Sequence, residues 1–226
     1  QYEPRKFLGG VGLSTKIFWD MGCPNVDALD AENPLIVSVG PLTGLPGPFN
    51  RAQICGIGAQ NYPEGQFTYS GFGGGFPAAM KYAGYDAIVI VGKADRPSYV
   101  SIRDGEVEIK DGSDLWGLDL IEAQRVIRET EKQAAVLAIG PAGENLSRTA
   151  IVATETGSTA GQGGFGAVMG SKNLKAVSVT GTGVVKIARP DDFLKLIEGL
   201  QRKKSWDEGG VQSWGRAPLS GGEVAH

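Results

Sequence analysis

Reactive side chains are scarce in this sequence. It has one histidine, His226, which is the last residue. A histidine at a chain end reads as a frayed terminus rather than a catalyst. It has two cysteines, Cys23 and Cys55, far apart and in no CxxC pair. That spacing argues against a disulfide framework and a structural metal site, and it fits a reduced cytoplasmic setting. No Ser/His/Asp or Cys/His constellation can be assembled, so reactive atoms are expected from a cofactor or from other protein segments. No basic stripe with interleaved aromatics is present, and the net charge is -3, which argues against sequence-independent nucleic-acid binding. The longest aliphatic runs, such as Ala87–Val91, are strand-length and far too short to span a bilayer. The opening residues, QYEPRKFLGG, have no apolar core of a signal peptide.

Glycine, in contrast, is abundant. There are 35 in 226 residues, against a usual share of ~7%. They sit at the ends of apolar runs and in tight clusters, which implies tight turns or close backbone approach to a ligand.

Residues 7–20 read as a Gly-rich turn entering a short amphipathic helix. Asn33–Gly44 (NPLIVSVGPLTG) reads as a buried strand ended by a Gly-Pro turn. Residues 45–63 carry little periodicity and read as loop and strand edges. Gly71–Asp86 reads as a glycine cluster leading into a short helix, with Gly84 as its stop. Three strands are expected after Asp86, with a hairpin turn at Asp104-Gly105. Leu120–Lys132 is the clearest amphipathic helix, with Leu120, Ile121, Ala123, Val126 and Ile127 on its apolar face. The stretches AAVLAIG and TAIVATET read as strands. A second glycine cluster (Thr159–Gly166), a short helix and the strand KAVSVTG follow. A new helix begins at RPDDF, with Asp191 or Asp192 near its N-cap. The Gly-rich remainder from Ser205 lacks periodicity. Asp86 and Glu144 read as cap or turn residues.

Gly74–Gly92 and Gly163–Gly181 align without a gap and share seven of nineteen residues. This implies two similar halves, each with its own sheet. Together with the hairpin signal it predicts an α+β fold dominated by sheet, rather than a purely parallel βαβ fold.

A glycine cluster entering a helix offers backbone N–H groups to an anion, phosphate above all. Neither cluster is a Walker loop, and GFGGGF lacks the dinucleotide fingerprint. Singly, each cluster reads as tight helix–sheet packing. As a pair they favour a ligand with two similar anionic ends. Arg51 is a further candidate, with a solvated surface arginine as its plainer reading.

The stretches NPLIVSVGPLTG, KYAGYDAIVIVGKADRPSYVSIRDGEVEIKDGSDLWG, AIGPAGEN and GGFGAVMGSKNLKAVSVTG together resemble the N-terminal domain of the tungsten-dependent aldehyde:ferredoxin oxidoreductase family. The resemblance runs in order from about Phe7 to about Asp192. It implies two similar β-sheets related by a pseudo-twofold, with short helices, over 1–192. The opening strand pair of relatives has no counterpart here, and 193–226 would be the start of a following helical domain. It also implies a metal held by two molybdopterin ligands, one per half. The magnesium that bridges the phosphates would take backbone carbonyls of Gly71 and Thr159. Pterin-phosphate contacts map to Gly73, Ser158 and Gly161, and the arginine between pterin and a [4Fe–4S] cluster maps to Arg51. The cluster ligands would lie outside this chain, which alone would be inactive.

The resemblance thus implies tungsten, or else molybdenum, and aldehyde oxidation to a carboxylic acid with electrons passing to ferredoxin or an electron-transfer subunit. It implies no nucleic-acid or membrane partner and allows a homo-oligomer. A relative acting on an aromatic acyl thioester is the alternative within the family. A non-catalytic scaffold is the alternative outside it, supported by Ser158 and Gln162 where relatives often carry arginine.

Overall fold

The computed structural model describes residues 2–206. The chain divides into two compact units, Gln1–Val185 and Lys186–His226. The first opens with α1 (Pro4–Phe7) and α2 (Gly10–Asp20). Its first sheet is built from β1 (Leu35–Val39), β2 (Ala52–Ile57), β3 (Phe67–Phe72) and, after α3 (Phe76–Tyr82), β4 (Ala87–Ile90). The order is β3-β2-β1-β4, antiparallel throughout. The hairpin β5 (Ser98–Arg103) and β6 (Glu106–Asp111) follows, then α4 (Leu120–Thr130), β7 (Ala135–Ala138), α5 (Pro141–Glu144), β8 (Val152–Thr154), β9 (Thr159–Ala160), α6 (Phe165–Ser171) and β10 (Leu174–Thr180). The second sheet has the order β6-β5-β10-β7-β8-β9, and only its β5–β10 pair is parallel. The other unit contains α7 (Pro190–Trp206), with Asp191 and Asp192 in its first turn. Most of the irregular tail expected from Ser205, including His226, lies outside the described residues.

The expected α+β fold with two similar sheets is therefore present, but sheet does not dominate it, since helix and strand content are about equal, and the similarity runs further than the aligned stretches. Apart from α5 inserted between β7 and β8, β1-β2-β3-α3-β4 and β7-β8-β9-α6-β10 repeat one order of elements and one antiparallel pairing. Both helices are seven residues long and begin at the same offset, on Phe76 and Phe165, both fully buried. Both stop before a residue at positive φ, Gly84 and Asn173. The main core lies between the sheets, with Val37, Ile54, Phe72, Phe76, Leu137, Phe165, Met169 and Val177 at its centre. A smaller core under α4 holds Tyr99, Ile127, Val136 and Ala176.

Several local expectations are corrected. Residues 45–63 include β2, a central strand buried along most of its length. Its sequence, AQICGI, hides the strand because Gln53, Cys55 and Gly56 break the apolar run. Gly56 is needed there, since a Cβ would come within 2.5 Å of the Pro34 carbonyl oxygen. Gly71 and Phe72, read as part of a glycine cluster, end β3. On α4, Ile121 is 79% exposed, and Gln124 takes its place inside, donating from Nε2 to the Ala153 carbonyl at 2.9 Å. Glu144, read as a cap or turn residue, is the last residue of α5, and its side chain is buried in an ion pair with Lys175 and accepts from Gly117 N.

Candidate functional site

The two sheets meet along their edge strands β3 and β9. Hydrogen bonds cross this seam in reciprocal fashion. Gly73 N donates to Ser158 Oγ at 2.7 Å, and Gln162 N donates to Ser70 Oγ at 3.2 Å. Gly73 and Gln162 hold equivalent places in the repeat. Two more bonds follow the same rule: Gly75 N to Glu155 Oε1 at 2.9 Å, and Gly163 N to Gln60 Oε1 at 2.7 Å. Each glycine cluster is thus held by side chains of the opposite half.

This corrects the expectation that the cluster N–H groups stand free for a phosphate. At Gly73, Gly75, Gln162 and Gly163 they are engaged by protein. The neighbouring glycines serve close packing, as at Gly74, where a Cβ would lie 2.5 Å from Thr154 Oγ1. What remains open flanks the clusters. Thr159 and Gly161 are exposed, and a Cβ on Gly161 would meet nothing within 4 Å.

The six residues singled out from the sequence fall into two groups. Arg51, Gly71 and Gly73 lie on the first sheet's side of the seam, and Ser158, Thr159 and Gly161 on the second's. The Gly73–Ser158 bond joins the groups. Arg51 stands directly before β2 and is exposed. A Cβ on Gly71 would lie 2.9 Å from Arg51 Nη2. The guanidinium therefore rests over bare backbone that only glycine leaves accessible.

Sequence reasoning missed Asn50 and Gln53, which flank Arg51. Asn50 Oδ1 and Gln53 Oε1 are the two buried side-chain polar atoms without a hydrogen-bond partner among the described residues. Each such atom costs ~1–3 kcal/mol if nothing fills the vacancy. Gln53 would have been found had β2 been read as a strand, because alternation puts it on the same face as Arg51.

The seam offers polar contacts rather than reactive groups. Glu155 has both oxygens occupied, by Gly75 N and Val136 N. Cys55 is buried, and burial pushes its thiol up to about 11, so at neutral pH it is neither thiolate ligand nor nucleophile. Among the described residues no group of three or more His, Cys, Asp or Glu side chains could hold a metal ion. Open backbone at Gly161 and a guanidinium with no ion pair among the described residues, beside a seam between two alike sheets, fit a polar anionic group with two similar ends, while the orphaned Asn50 and Gln53 oxygens, as acceptors, call for donors.

Comparison with known proteins gives a consistent picture. The profile of the aldehyde ferredoxin oxidoreductase N-terminal domain matches residues 1–181. A tungsten-containing aldehyde ferredoxin oxidoreductase from Pyrococcus furiosus is 39% identical over 220 residues, covering 95% of this chain and 36% of the relative. The WOR-like subunit of an aliphatic sulfonate oxidoreductase from the same organism is 35% identical, covering 98% of this chain and 38% of the relative. Among solved structures, the active site complex BamBC of benzoyl coenzyme A reductase, in complex with 1,5-dienoyl-CoA, superposes with a TM-score of 0.86 at 37% identity. That match covers 92% of this chain and 32% of the other. The chain spans about a third of the length of the relatives it matches.

Proposed function

The chain belongs to the aldehyde ferredoxin oxidoreductase family, and from that premise we propose that it is the cofactor-binding base of a tungsten bis-pterin oxidoreductase. The observation that carries the proposal is the seam: two repeated sheet units place a glycine-lined edge on each side of one line, with Arg51 on the first sheet's side. Arg51, Ser158 and Gly161 would contact the pterins and their phosphates, with Gly73, its N–H held by Ser158 Oγ, lining the approach. The backbone carbonyls of Gly71 and Thr159 would take a bridging magnesium. Residues 1–192 would form the base, and 193–226 would begin a following helical domain.

When bound, the metal–pterin group supplies two-electron oxygen-transfer chemistry, by which an aldehyde and water become a carboxylic acid, two protons and two electrons. The residues of this chain do something simpler. The seam's crossing hydrogen bonds fix the spacing of its two halves. Arg51 offers a planar fork of donors to an anionic oxygen. Gly161, exposed and open around its Cα, lets that anion approach the backbone. We propose that electrons leave through a [4Fe–4S] cluster, whose ligands lie outside these 226 residues, to ferredoxin or an electron-transfer subunit. Among the described residues no helix is long and apolar enough to cross a membrane, and a cytoplasmic setting is part of the proposal.

A second reading has support from the benzoyl coenzyme A reductase complex, which is nearly as similar as the aldehyde enzymes. In it the substrate is an aromatic acyl thioester. Assays of the full-length protein with both substrate classes separate the two. Metal analysis of that protein tests the base itself. Tungsten, or molybdenum, together with pterin is the expected result. Active enzyme free of both metals would overturn the proposal, and an inactive, metal-free, pterin-free protein would leave a scaffold.

A further inference from the structure

Asn50 and Gln53 differ in what their carboxamides do. Asn50 Nδ2 donates to the Gly74 carbonyl at 2.6 Å, tying the segment before β2 to the glycine cluster. Gln53 makes no side-chain hydrogen bond among the described residues, and its Oε1 is enclosed. Register pairs Gln53 with Gly71 across β2 and β3. One point in space then relates three groups. A Cβ on Gly71 would lie 2.9 Å from Arg51 Nη2 and 3.2 Å from both Gln53 Oε1 and Gln53 Nε2. The guanidinium and the carboxamide converge over the same bare backbone.

Arg51 forms no ion pair among the described residues. Its carbonyl is held by Thr43 Oγ1 at 3.2 Å, so the backbone is anchored and the side chain is the part free to turn. A guanidinium carries five N–H donors, and a carboxamide oxygen can take one while the others remain for an anion. A carboxylate in its place would neutralise the arginine and compete with that anion. A carboxamide orients without neutralising.

We propose that Gln53 is the positioning residue for Arg51: its Oε1, which has no partner among the described residues, takes an N–H of the guanidinium when the anionic end of the cofactor binds, and so holds that group over Gly71. This rests on Arg51 being a cofactor contact. The test uses the full-length protein, its Gln53→Leu and Arg51→Met variants and the double variant. The rate of pterin loss on dilution is measured, alongside the unfolding midpoint of the cofactor-free forms.

Each single variant is expected to lose pterin about tenfold faster, the size of one hydrogen bond to a charged group. The double variant is expected to lose it no faster than Arg51→Met, because Gln53 acts only through Arg51. Retention by Gln53→Leu equal to the parent overturns the proposal. So does a double variant whose loss is the product of the two single effects, about hundredfold. Should Gln53→Leu not fold, Gln53→Met, closer in shape, carries the same comparison. A parent protein without pterin overturns the cofactor-base reading itself. A loaded parent with multiplicative effects overturns only the role of Gln53.

Discussion

Gly74–Gly92 and Gly163–Gly181 enter a seven-residue helix at the same offset and leave it onto a strand, yet the second is sealed where the first is half open. Every residue of α6 is buried, against three of seven in α3. Every residue of β10 is buried, while β4 leaves Val89 exposed, with Val91 just beyond it. The cause is what flanks each copy. β10 lies between β5 and β7, whereas β4 is the edge of its sheet. α6 packs against α5. The sequence differences follow. Lys81 of the first copy becomes Gly170 in the second, Asp86 becomes Lys175, and Ala83 becomes Lys172. One local design thus carries opposite charge chemistry according to how deeply it is covered.

The sharpest way to break the comparison is to remove the charge at the aligned position in each copy. Lys175 is fully buried and bonded to Glu144 and to the Leu118 carbonyl. Asp86 is 66% exposed and paired with Lys81. Lys175→Met leaves a buried carboxylate unpaired and is expected to cost ~3–5 kcal/mol. Asp86→Ala is expected to cost under ~1 kcal/mol. Denaturant unfolding of both variants measures the difference, and equal effects would show that depth does not govern it.

A smaller contrast lies within the helices. A Cβ on Gly170 would fall on the carbonyl of Gly143, 2.7 Å from its carbon, and neither backbone can yield cheaply. Alanine's better helix propensity is worth ~1 kcal/mol, less than the clash. Gly170→Ala should destabilise by ~2–3 kcal/mol, and Lys81→Ala by well under ~1 kcal/mol. Thermal unfolding midpoints decide between them.

The smallest effect sharpens the comparison through pH. Lys172 lies where the first copy has Ala83, with Nζ donating to the carbonyls of Ala31 at 2.7 Å and Gly92 at 3.3 Å. Burial lowers its ammonium to about 8, against the opposing pull of Glu32 and Asp30. Unfolded, it titrates near ~10.4. Between those values the unfolded chain binds more protons, so this residue makes stability rise with pH across the window. Parent stability minus that of Lys172→Met should therefore grow between pH 8 and ~10. A flat difference in urea midpoints would contradict it.

Much of this was legible in the residues. The glycine-started repeat, the Asp104-Gly105 hairpin and the α4 pattern each rest on local backbone preferences, which short stretches specify by themselves. Five of the six candidate residues were found through resemblance alone, and Arg51 was singled out before it but given its role by it. Gln53 escaped because β2 has no apolar alternation: its burial comes from α2 and the neighbouring strands, not from its own side chains. Glu144 and Lys175 are 31 residues apart, and nothing in either neighbourhood announces the other.

The sequence by itself determined that the chain builds one helix-and-strand unit twice and that its own side chains hold little reactive chemistry. Turn residues, helix stops and composition act locally, so both were fixed before any packing. Only the tertiary structure decided that the two glycine clusters hold each other through Ser158, Glu155, Gln60 and Ser70 instead of standing open. It also decided that Arg51 and Gln53 share the bare backbone of Gly71. Those contacts join residues far apart in the chain, and the meeting of two sheet edges creates them.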